Sequence, residues 1–192
     1  GLANHPRALE RVFLPFESSR GCWWGEKRQC TFCGLNADGM VYRAKSAARV
    51  RSTLQSYLER YSVKRFFATD NNMPRQHCKD LFPDLARRPL GKRPLIFYEV
   101  RTTLKRREMR IMSEAGVRYI QPGIESLSTA LLKLLRKGCT ALQNIHHLKL
   151  CRTFFIFLAW NLLVRIPGER MEDYEEQARL IPRIVHLNPP YA

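Results

Sequence analysis

Hydrophobic and polar positions recur with two periods along the chain, and these periods predict strands and helices that follow one another. Short apolar runs rich in aromatic and β-branched residues predict strands at 12–19, 64–70, 94–101, 117–126 and 153–169. Apolar residues at helical spacing predict helices at 45–61, 75–88, 104–116, 126–138, 140–151 and 170–185. Because alternating strands and helices form βαβ units, the pattern predicts an α/β fold with a parallel sheet.

Capping residues support the predicted helix ends. Ser46 is placed to cap the first long helix, and Ser126 or Ser128 the helix at 126–138. Gly116 and Gly138 follow the last apolar positions of their helices, where glycine adopts the left-handed conformation that ends a helix.

Polar residues collect immediately after the predicted strands. The cysteines, "TDNN", "EVR", "GIES" and "WN" each follow one strand. In α/β barrels the active site is built from the loops at these strand ends. The pattern therefore predicts one site at the top of an open or incomplete barrel.

Composition indicates a globular chain with reduced thiols. Its 192 residues are 45% hydrophobic and 26% charged, which fits one domain or part of one. The sequence has no signal peptide and no apolar run long enough to span a bilayer, so we expect a cytoplasmic protein and a fragment of a longer one.

The net charge of +16 has two interpretations. It is typical of a surface that binds nucleic acid or another polyanion. It also fits a chain that is basic throughout, and the scattered basic residues, without interleaved aromatics, favour this second interpretation.

Three cysteines in the segment "GCWWGEKRQCTFCGLN", Cys22, Cys30 and Cys33, form a C-x7-C-x2-C pattern. A structural zinc site needs four ligands, with His77 or Cys78 as the candidate fourth. A redox C-x2-C pair would leave Cys22 unused. An iron–sulfur cluster held by three thiolates leaves one iron open for a substrate or cosubstrate. On the residues alone these alternatives stay open.

The cysteine segment and its context resemble the radical S-adenosylmethionine (SAM) enzymes, in the C-x7-C-x2-C variant. The resemblance is to the cobalamin-associated group that matures ribosomally made peptides, and it extends over nearly the whole chain through "FFATDNNMP", "FYEVRTTL", "QPGIESLS" and "WNLLVRIPGE". It implies a partial (βα)6 barrel of parallel strands. It also implies that residues 1–192 are a truncated radical SAM core, without the N-terminal cobalamin-binding domain and the C-terminal region.

The resemblance also implies cofactors and ligands. Cys22, Cys30 and Cys33 would ligate a [4Fe–4S] cluster whose fourth iron is chelated by S-adenosylmethionine. An electron from the cluster would generate a 5′-deoxyadenosyl radical that takes hydrogen from the substrate. Cofactor contacts are implied for Phe32 near the adenine, for Thr69, Asp70 and Asn71 at the methionyl amino group, for Glu99 and Arg101 at the ribose and carboxylate, and for Glu125, Ser126 and Asn161.

Ordinary structural roles are the alternatives for these contacts. The segment 69–72 also suits a turn that caps the next helix, and Ser126 suits a helix cap. Phe32 is also typical of a loop aromatic that packs inside the protein. Trp23 and Trp24 are expected either to shield the cluster from solvent or to pack in the usual way.

The resemblance implies a peptide C-methyltransferase whose partners are a precursor peptide and an electron donor such as a flavodoxin or ferredoxin. Cobalamin is expected only in the full-length protein, and no membrane partner is expected. Two alternatives remain: a radical enzyme that modifies RNA, related to methylthiotransferases, and a zinc-binding module that holds nucleic acid. Arg165 departs from the family pattern, which has a small residue before the Pro-Gly turn.

Overall fold

The main sheet of the computed structural model has five parallel strands, which lie side by side in the order in which they occur along the chain. The structure describes residues 12–35, 39, 41–61, 63–91 and 93–188. The strands are β1 (Leu14–Phe16), β4 (Arg65–Ala68), β5 (Leu95–Val100), β6 (Val117–Pro122) and β7 (Phe157–Leu158). The α/β fold with the parallel strands of a partial barrel is confirmed.

Two short strands outside this sheet frame the cysteine loop. Strand β2 (Ser19–Arg20) pairs antiparallel with β3 (Arg43–Ala44), and helix α1 (Trp23–Lys27) lies between them in the chain. None of these three elements follows from the hydrophobic pattern, because none buries a run of apolar residues.

Six longer helices connect and flank the strands. They are α2 (Ala47–Arg60), α3 (Leu81–Arg87), α4 (Arg106–Glu114), α5 (Thr129–Leu134), α6 (Ala141–Thr153) and α7 (Met171–Ile184). Short 3₁₀ turns span Arg75–Cys78 and Val185–Leu187. Within the described ranges, no helix has both the length and the hydrophobicity that crossing a bilayer requires.

The predicted helix at 75–88 is divided into a 3₁₀ turn and α3. Asp80 caps α3 by accepting a hydrogen bond from the backbone N–H of Leu81 at 2.6 Å. Pro83 then falls in the first turn, where backbone N–H groups have no partner within the helix. The missing N–H of Pro83 therefore costs no helical hydrogen bond. Pro83 lies near the start of α3, and not in the middle of one long helix as predicted.

Alternate strand residues divide between two faces of the sheet. Phe66, Ile96, Tyr98 and Ile120 are buried in the main core, which the helices cover. The opposite face carries a lateral row of aromatic residues on four neighbouring strands, paired in register: Phe67, Phe97, Tyr119 and Phe157. Two pairs of rings stack within this row, at centroid distances of 4.5 Å for Phe67 and Phe97 and 5.6 Å for Tyr119 and Phe157.

The fifth predicted strand is far shorter than its apolar sequence indicates. Only Phe157–Leu158 pair with β6, and Leu162 adds one isolated parallel bridge to Glu125. Arg165 has a positive φ of 62°, outside the β region, and the Pro-Gly turn follows it. The residue that departs from the family pattern therefore has a non-extended backbone and lies beyond the end of β7.

Three of the predicted caps are present. The Ser46 hydroxyl accepts from the Arg49 N–H at 3.3 Å, and Ser128, not Ser126, caps α5. Gly116 follows α4 with φ 97°. Gly138 also has a positive φ, of 64°, but α5 ends four residues earlier.

His147 on α6 is a buried histidine without hydrogen bonds to the described residues at either ring nitrogen. Burial, with a smaller contribution from His146, lowers its pKa to about 4. The unfolded chain, with a pKa near 6.5, therefore binds more protons between these two values. The neutral ring favours the folded state above that window, and this stability is lost as the pH falls through it.

We expect the free energy of unfolding to fall by up to about 3 kcal/mol as the pH drops from about 6.5 to about 4, through His147 alone. The His147→Leu variant should lack this part of the pH dependence, as measured by denaturant unfolding across the range. His146→Leu, at the exposed neighbouring position, is the control and should keep it. Equal pH slopes for His147→Leu and the wild type would contradict the interpretation.

Candidate active site at the cysteine loop

A cavity of about 180 Å³, open to solvent, lies where the cysteine loop meets the carboxyl ends of the central strands. All three clustered cysteines line it. The strands and the turns after them contribute Asn71, Asn72, Glu99, Arg101, Gln121, Gly123 and Glu125. Trp24, Gln29, Phe32 and Lys137 also line it. The polar residues after four of the five predicted strands thus meet at one cavity, whereas Trp160 and Asn161, after the fifth, do not line it.

Local backbone structure positions the three cysteines. Cys22 caps α1, and its Sγ accepts from the Gly25 N–H at 3.5 Å and from the Asn72 side-chain amide at 3.7 Å. Cys30 and Cys33 flank a turn in which the Cys33 N–H donates to the Cys30 carbonyl at 3.2 Å. A helix and a turn therefore hold the three side chains, each partly buried.

The six cysteines all lie in the described ranges and are thiols. Among the described residues, no three His, Cys, Asp or Glu side chains are grouped closely enough to hold one metal ion. A four-iron cluster places metal and sulfide between its thiolate ligands, so it needs them around a larger space. Three thiols on the wall of one cavity fit that requirement.

Two cationic side chains face the same cavity as the thiols. Burial raises the pKa of Cys30, and the positive charges of Lys137 and Arg101 oppose this effect. Thiolates are the form that binds metal, so nearby cations lower the cost of charging them. The donor set and its surroundings therefore fit an anionic thiolate cluster.

Arg101 joins the end of β5 to the cysteine loop. Its guanidinium lies 3.9 Å from the centroid of the Trp24 ring and donates to the Lys137 carbonyl. Its buried Nε–H has no acceptor among the described residues. A buried donor without a partner costs free energy, so a residue lining the cavity has a hydrogen bond to offer to a ligand.

Lys137 is only 7% exposed and pairs with Glu125, with 3.1 Å between Nζ and Oε1. Its ammonium also lies 5.5 Å from the centroid of the Phe32 ring. Burial raises the pKa of Glu99, and the negative charges of Glu125 and Asp70 add to the effect. The cavity thus contains a compact arrangement of charge beside the thiols.

Glu125 has a left-handed backbone, with φ 58°, that a buried network holds in place. The Asn144 side chain on α6 donates to the carbonyls of Ile124 and Ser126, both at 2.9 Å. The Gln177 side-chain oxygen on α7 accepts from the Ser126 hydroxyl and from the Leu127 N–H at 2.9 and 2.7 Å. Two helices therefore fix the loop that presents Glu125 to the cavity.

The predicted cofactor contacts divide into residues that line the cavity and residues that do not. Phe32, Asn71, Glu99, Arg101 and Glu125 line the cavity. Thr69, Asp70, Ser126 and Asn161 do not. The predicted roles of all nine as cofactor contacts stay predictions.

The four residues outside the wall have other surroundings. The Asp70 carboxylate is buried and accepts from the Ser18 N–H at 2.7 Å and from the hydroxyls of Ser18 and Ser19 at 2.5 and 2.9 Å. Thr69 donates to the Phe16 carbonyl, and Ser126 is buried against Gln177. Asn161 is exposed. The structure thus places Asp70 as the anchor of the chain entering the cysteine loop.

Sequence reasoning missed Lys137, Gln121 and Asn72 as cavity residues. The period of the strand could have predicted Gln121, because this residue lies on β6 two positions before Gly123 and therefore on the same face. Asn72 follows three polar neighbours, and no periodicity distinguishes it from them. Lys137 follows a helix, and only the tertiary contact with Glu125 identifies it.

Trp24 attaches the cysteine loop to the turn after α5. Its indole N–H donates to the Arg136 carbonyl at 3.3 Å, and a β-carbon on Gly138 would come within 2.4 Å of two atoms of its ring. The backbone N–H and hydroxyl of Thr31 donate to the carbonyls of Leu135 and Leu134. The loop is thus docked on that turn at two points.

Comparison with known sequences gives one family. The profile described as the radical SAM superfamily matches residues 16–181. Hopanoid C-3 methylase from Methylococcus capsulatus is 27% identical over 183 residues, 91% of this chain and 34% of that protein. The uncharacterized methyltransferase PH0819 from Pyrococcus horikoshii is 24% identical over 170 residues, 87% and 36% of the two chains. The chain spans about a third of the length of the curated relatives it matches.

Comparison with solved structures gives the same fold. The cobalamin-dependent S-adenosylmethionine radical enzyme OxsB, with aqua-cobalamin and S-adenosylmethionine bound, superposes with a TM-score of 0.73 at 21% identity, covering 95% of this chain and 28% of that one. The radical S-adenosylmethionine methyltransferase TsrM from Kitasatospora setae, with cobalamin and a [4Fe–4S] cluster bound, gives 0.76 at 19% identity, covering 92% and 35%. At these identities the likeness establishes the fold.

The contact between Gly138 and Trp24 generates a prediction about the docked loop. We expect Gly138→Ala to displace the Trp24 ring and to lower the free energy of unfolding by about 2–4 kcal/mol, the sum of backbone strain and steric overlap. Denaturant unfolding and near-ultraviolet circular dichroism of the tryptophans measure both effects.

Gly168→Ala is the matched control, because Gly168 also has a positive φ but meets only methyl groups of Leu134, at 3.6 Å or more. Its cost should stay at about 1–2 kcal/mol, from the backbone alone. If the two variants lost equal stability and kept the same near-ultraviolet spectrum, Trp24 would not depend on Gly138.

Proposed function

Because the chain belongs to the radical SAM superfamily, we propose that its cavity binds a [4Fe–4S] cluster through Cys22, Cys30 and Cys33, with S-adenosylmethionine beside it. The observation that carries this proposal is the convergence of three thiols, two cations and a carboxyl group with a raised pKa on one cavity. When bound, the cluster supplies the electron that cleaves the sulfonium bond of S-adenosylmethionine to yield a 5′-deoxyadenosyl radical.

The cavity residues suit the polar groups of S-adenosylmethionine. We assign the unpartnered Nε–H of Arg101 to its carboxylate, because a charge-assisted hydrogen bond would satisfy this donor. The ammonium of Lys137, which also pairs with Glu125, is the second cation assigned to that carboxylate. Glu99 is placed to hydrogen-bond the ribose hydroxyls, and Phe32 to contact the adenine. The amide of Asn71 is the candidate for the methionyl amino group.

The reaction we propose for the whole protein is methylation. Support comes from the relatives, of which one is a hopanoid C-3 methylase and another a methyltransferase, and from the structural neighbour TsrM, a methyltransferase. Cobalamin, present in the OxsB and TsrM structures, is proposed for the full-length protein only. The substrate we propose is a ribosomally made peptide, which is modified at carbon, on the resemblance of the cysteine segment and its context.

RNA is the second candidate substrate, and one observation favours it. The chain carries a net charge of +16, which suits a polyanionic partner. A cavity that holds a radical cofactor is compatible with either substrate, so the methylated product has to distinguish them.

Removal of the three thiols tests the cluster. We expect the protein, reconstituted without oxygen and reduced, to give the electron paramagnetic resonance signal of a [4Fe–4S] cluster that changes when S-adenosylmethionine is added. The variant Cys22→Ala, Cys30→Ala, Cys33→Ala should bind no cluster, because thiolates are the ligands.

Cys78→Ala is the control for this experiment, since Cys78 is a buried thiol that does not line the cavity. It should keep the full iron content and the response to S-adenosylmethionine. Zinc in place of iron, or a cluster signal that S-adenosylmethionine does not alter, would overturn the proposed function.

A labelled methyl group tests the reaction. With S-adenosylmethionine carrying a deuterated methyl group, we expect the full-length enzyme, supplied with cobalamin, to transfer the label to a carbon of a peptide encoded beside its gene. Mass spectrometry of the peptide and of total RNA from the same incubation locates the label. Label in RNA would establish the second candidate, and label in neither would exclude both substrates.

A further inference from the structure

A groove on the outer side of the cysteine loop is lined by cations. Lys27 and Arg28 at the end of α1 and Lys133 and Arg136 at the end of α5 form its walls, together with Trp24; we call it the cationic groove. All four charged side chains are exposed, and no acidic residue lines the groove.

These four cations are not neutralised within the described part of the protein. None forms a salt bridge with a described residue, whereas Arg110, Arg170 and Arg179 on other helices pair with acidic residues three or four positions away. The neighbouring Glu26 does not line the groove, and its carboxylate accepts from the Tyr42 N–H at 3.2 Å. The groove thus keeps its positive potential for an external anion.

Trp24 separates the cationic groove from the cavity of the three cysteines, since its side chain lines both. Hydrogen bonds from Trp24 and Thr31 fix the cysteine loop to the turn that carries Arg136. Only the Trp24 side chain therefore lies between a molecule bound in this part of the groove and the cavity assigned to the cluster.

A second cationic surface shares no residue with the wall of the cysteine cavity. Lys79, Lys105 and Arg107 line a depression between the 3₁₀ turn at Arg75–Cys78 and α4. It contains Glu108, paired with Arg75 at 2.9 Å. It provides a comparison of similar charge in a different place.

We propose that the cationic groove docks an acidic one-electron donor protein that reduces the cluster through the Trp24 wall. This inference rests on the proposed function, which consumes an electron. In the step, the donor loses one electron and the cluster gains it, and no bond or proton changes place. Opposite charges at a docking surface accelerate encounter and fix orientation, which suits a short-lived electron-transfer complex.

The surroundings of Trp24 favour a protein over a nucleic acid. Single-stranded nucleic acids are held by aromatic rings on which bases stack. The Trp24 ring already carries the Arg101 guanidinium at 3.9 Å and packs closely against Gly138, and no other aromatic residue lines the groove. The groove therefore offers charge without a stacking platform.

Charge reversal tests the proposal, with flavodoxin as the acidic probe. The variant Lys27→Glu, Lys133→Glu should weaken the binding of fluorescently labelled, oxidised flavodoxin by about tenfold or more at low ionic strength, and added salt should reduce the difference. In stopped-flow measurements, the rate of cluster reduction by flavodoxin hydroquinone should fall by a similar factor.

The matched control is Lys79→Glu, Arg107→Glu, which makes the same change in net charge on the second cationic surface. It should change binding and reduction by less than about twofold. The cationic reductant methyl viologen should reduce the cluster in the groove variant at least as fast as in the wild type, because the reversed charges attract it. That result would show that the groove variant keeps an intact cluster.

Several results would overturn the docking proposal. Equal losses in the two variants would show a general effect of net charge, and unchanged binding in the groove variant would place the donor elsewhere. Binding of an RNA oligonucleotide that is tighter than that of flavodoxin, and lost on reversal of Lys27 and Lys133, would assign the groove to nucleic acid. Failure to assemble a cluster would instead refute the proposed function, and flavodoxin binding, which needs no cluster, would still test the groove.

Discussion

The stacking of the Arg101 guanidinium on the Trp24 ring is the contact on which the architecture of the site depends. Arg101 follows strand β5, at the sheet, and Trp24 belongs to the cysteine loop. This contact therefore joins scaffold and loop beside the cavity, in addition to the hydrogen bonds of Thr31. A cation on an aromatic face gains attraction without requiring a counter-ion. Arg101 can therefore hold the loop and still keep its Nε–H for the cavity.

The conformation and burial of the charged cavity residues cost free energy, and contacts with the surrounding helices offset this cost. Glu125 adopts a left-handed backbone, and Lys137 is nearly buried, which only a paired ammonium tolerates. Asn144 on α6 and Gln177 on α7 satisfy the backbone of the Glu125 loop from behind. Preorganised charge of this kind binds a polar ligand without first having to rearrange.

The period of the apolar residues was enough to predict the parallel sheet and the edge at which the site lies. It was not enough to decide which of several adjacent polar residues faces the cavity. Asp70 and Asn71 are neighbours after β4, yet Asp70 turns inward to Ser18 and Ser19, more than fifty positions away, and Asn71 reaches the cavity. The length of β7 also escaped prediction, because the apolar run at 153–169 does not indicate that only Phe157–Leu158 pair with β6.

The spacer between Cys22 and Cys30 forms a short helix. Cys22 caps it, Trp24 projects from it, and it ends beside Lys27 and Arg28. A spacer of three residues would be shorter than this five-residue helix, so it could not place Trp24, Lys27 and Arg28 as they lie here. The number of residues between the first two cysteines therefore determines whether the loop can contain this helix. It thereby decides which side chains the loop exposes on its outer side, opposite the cavity that the cysteines line.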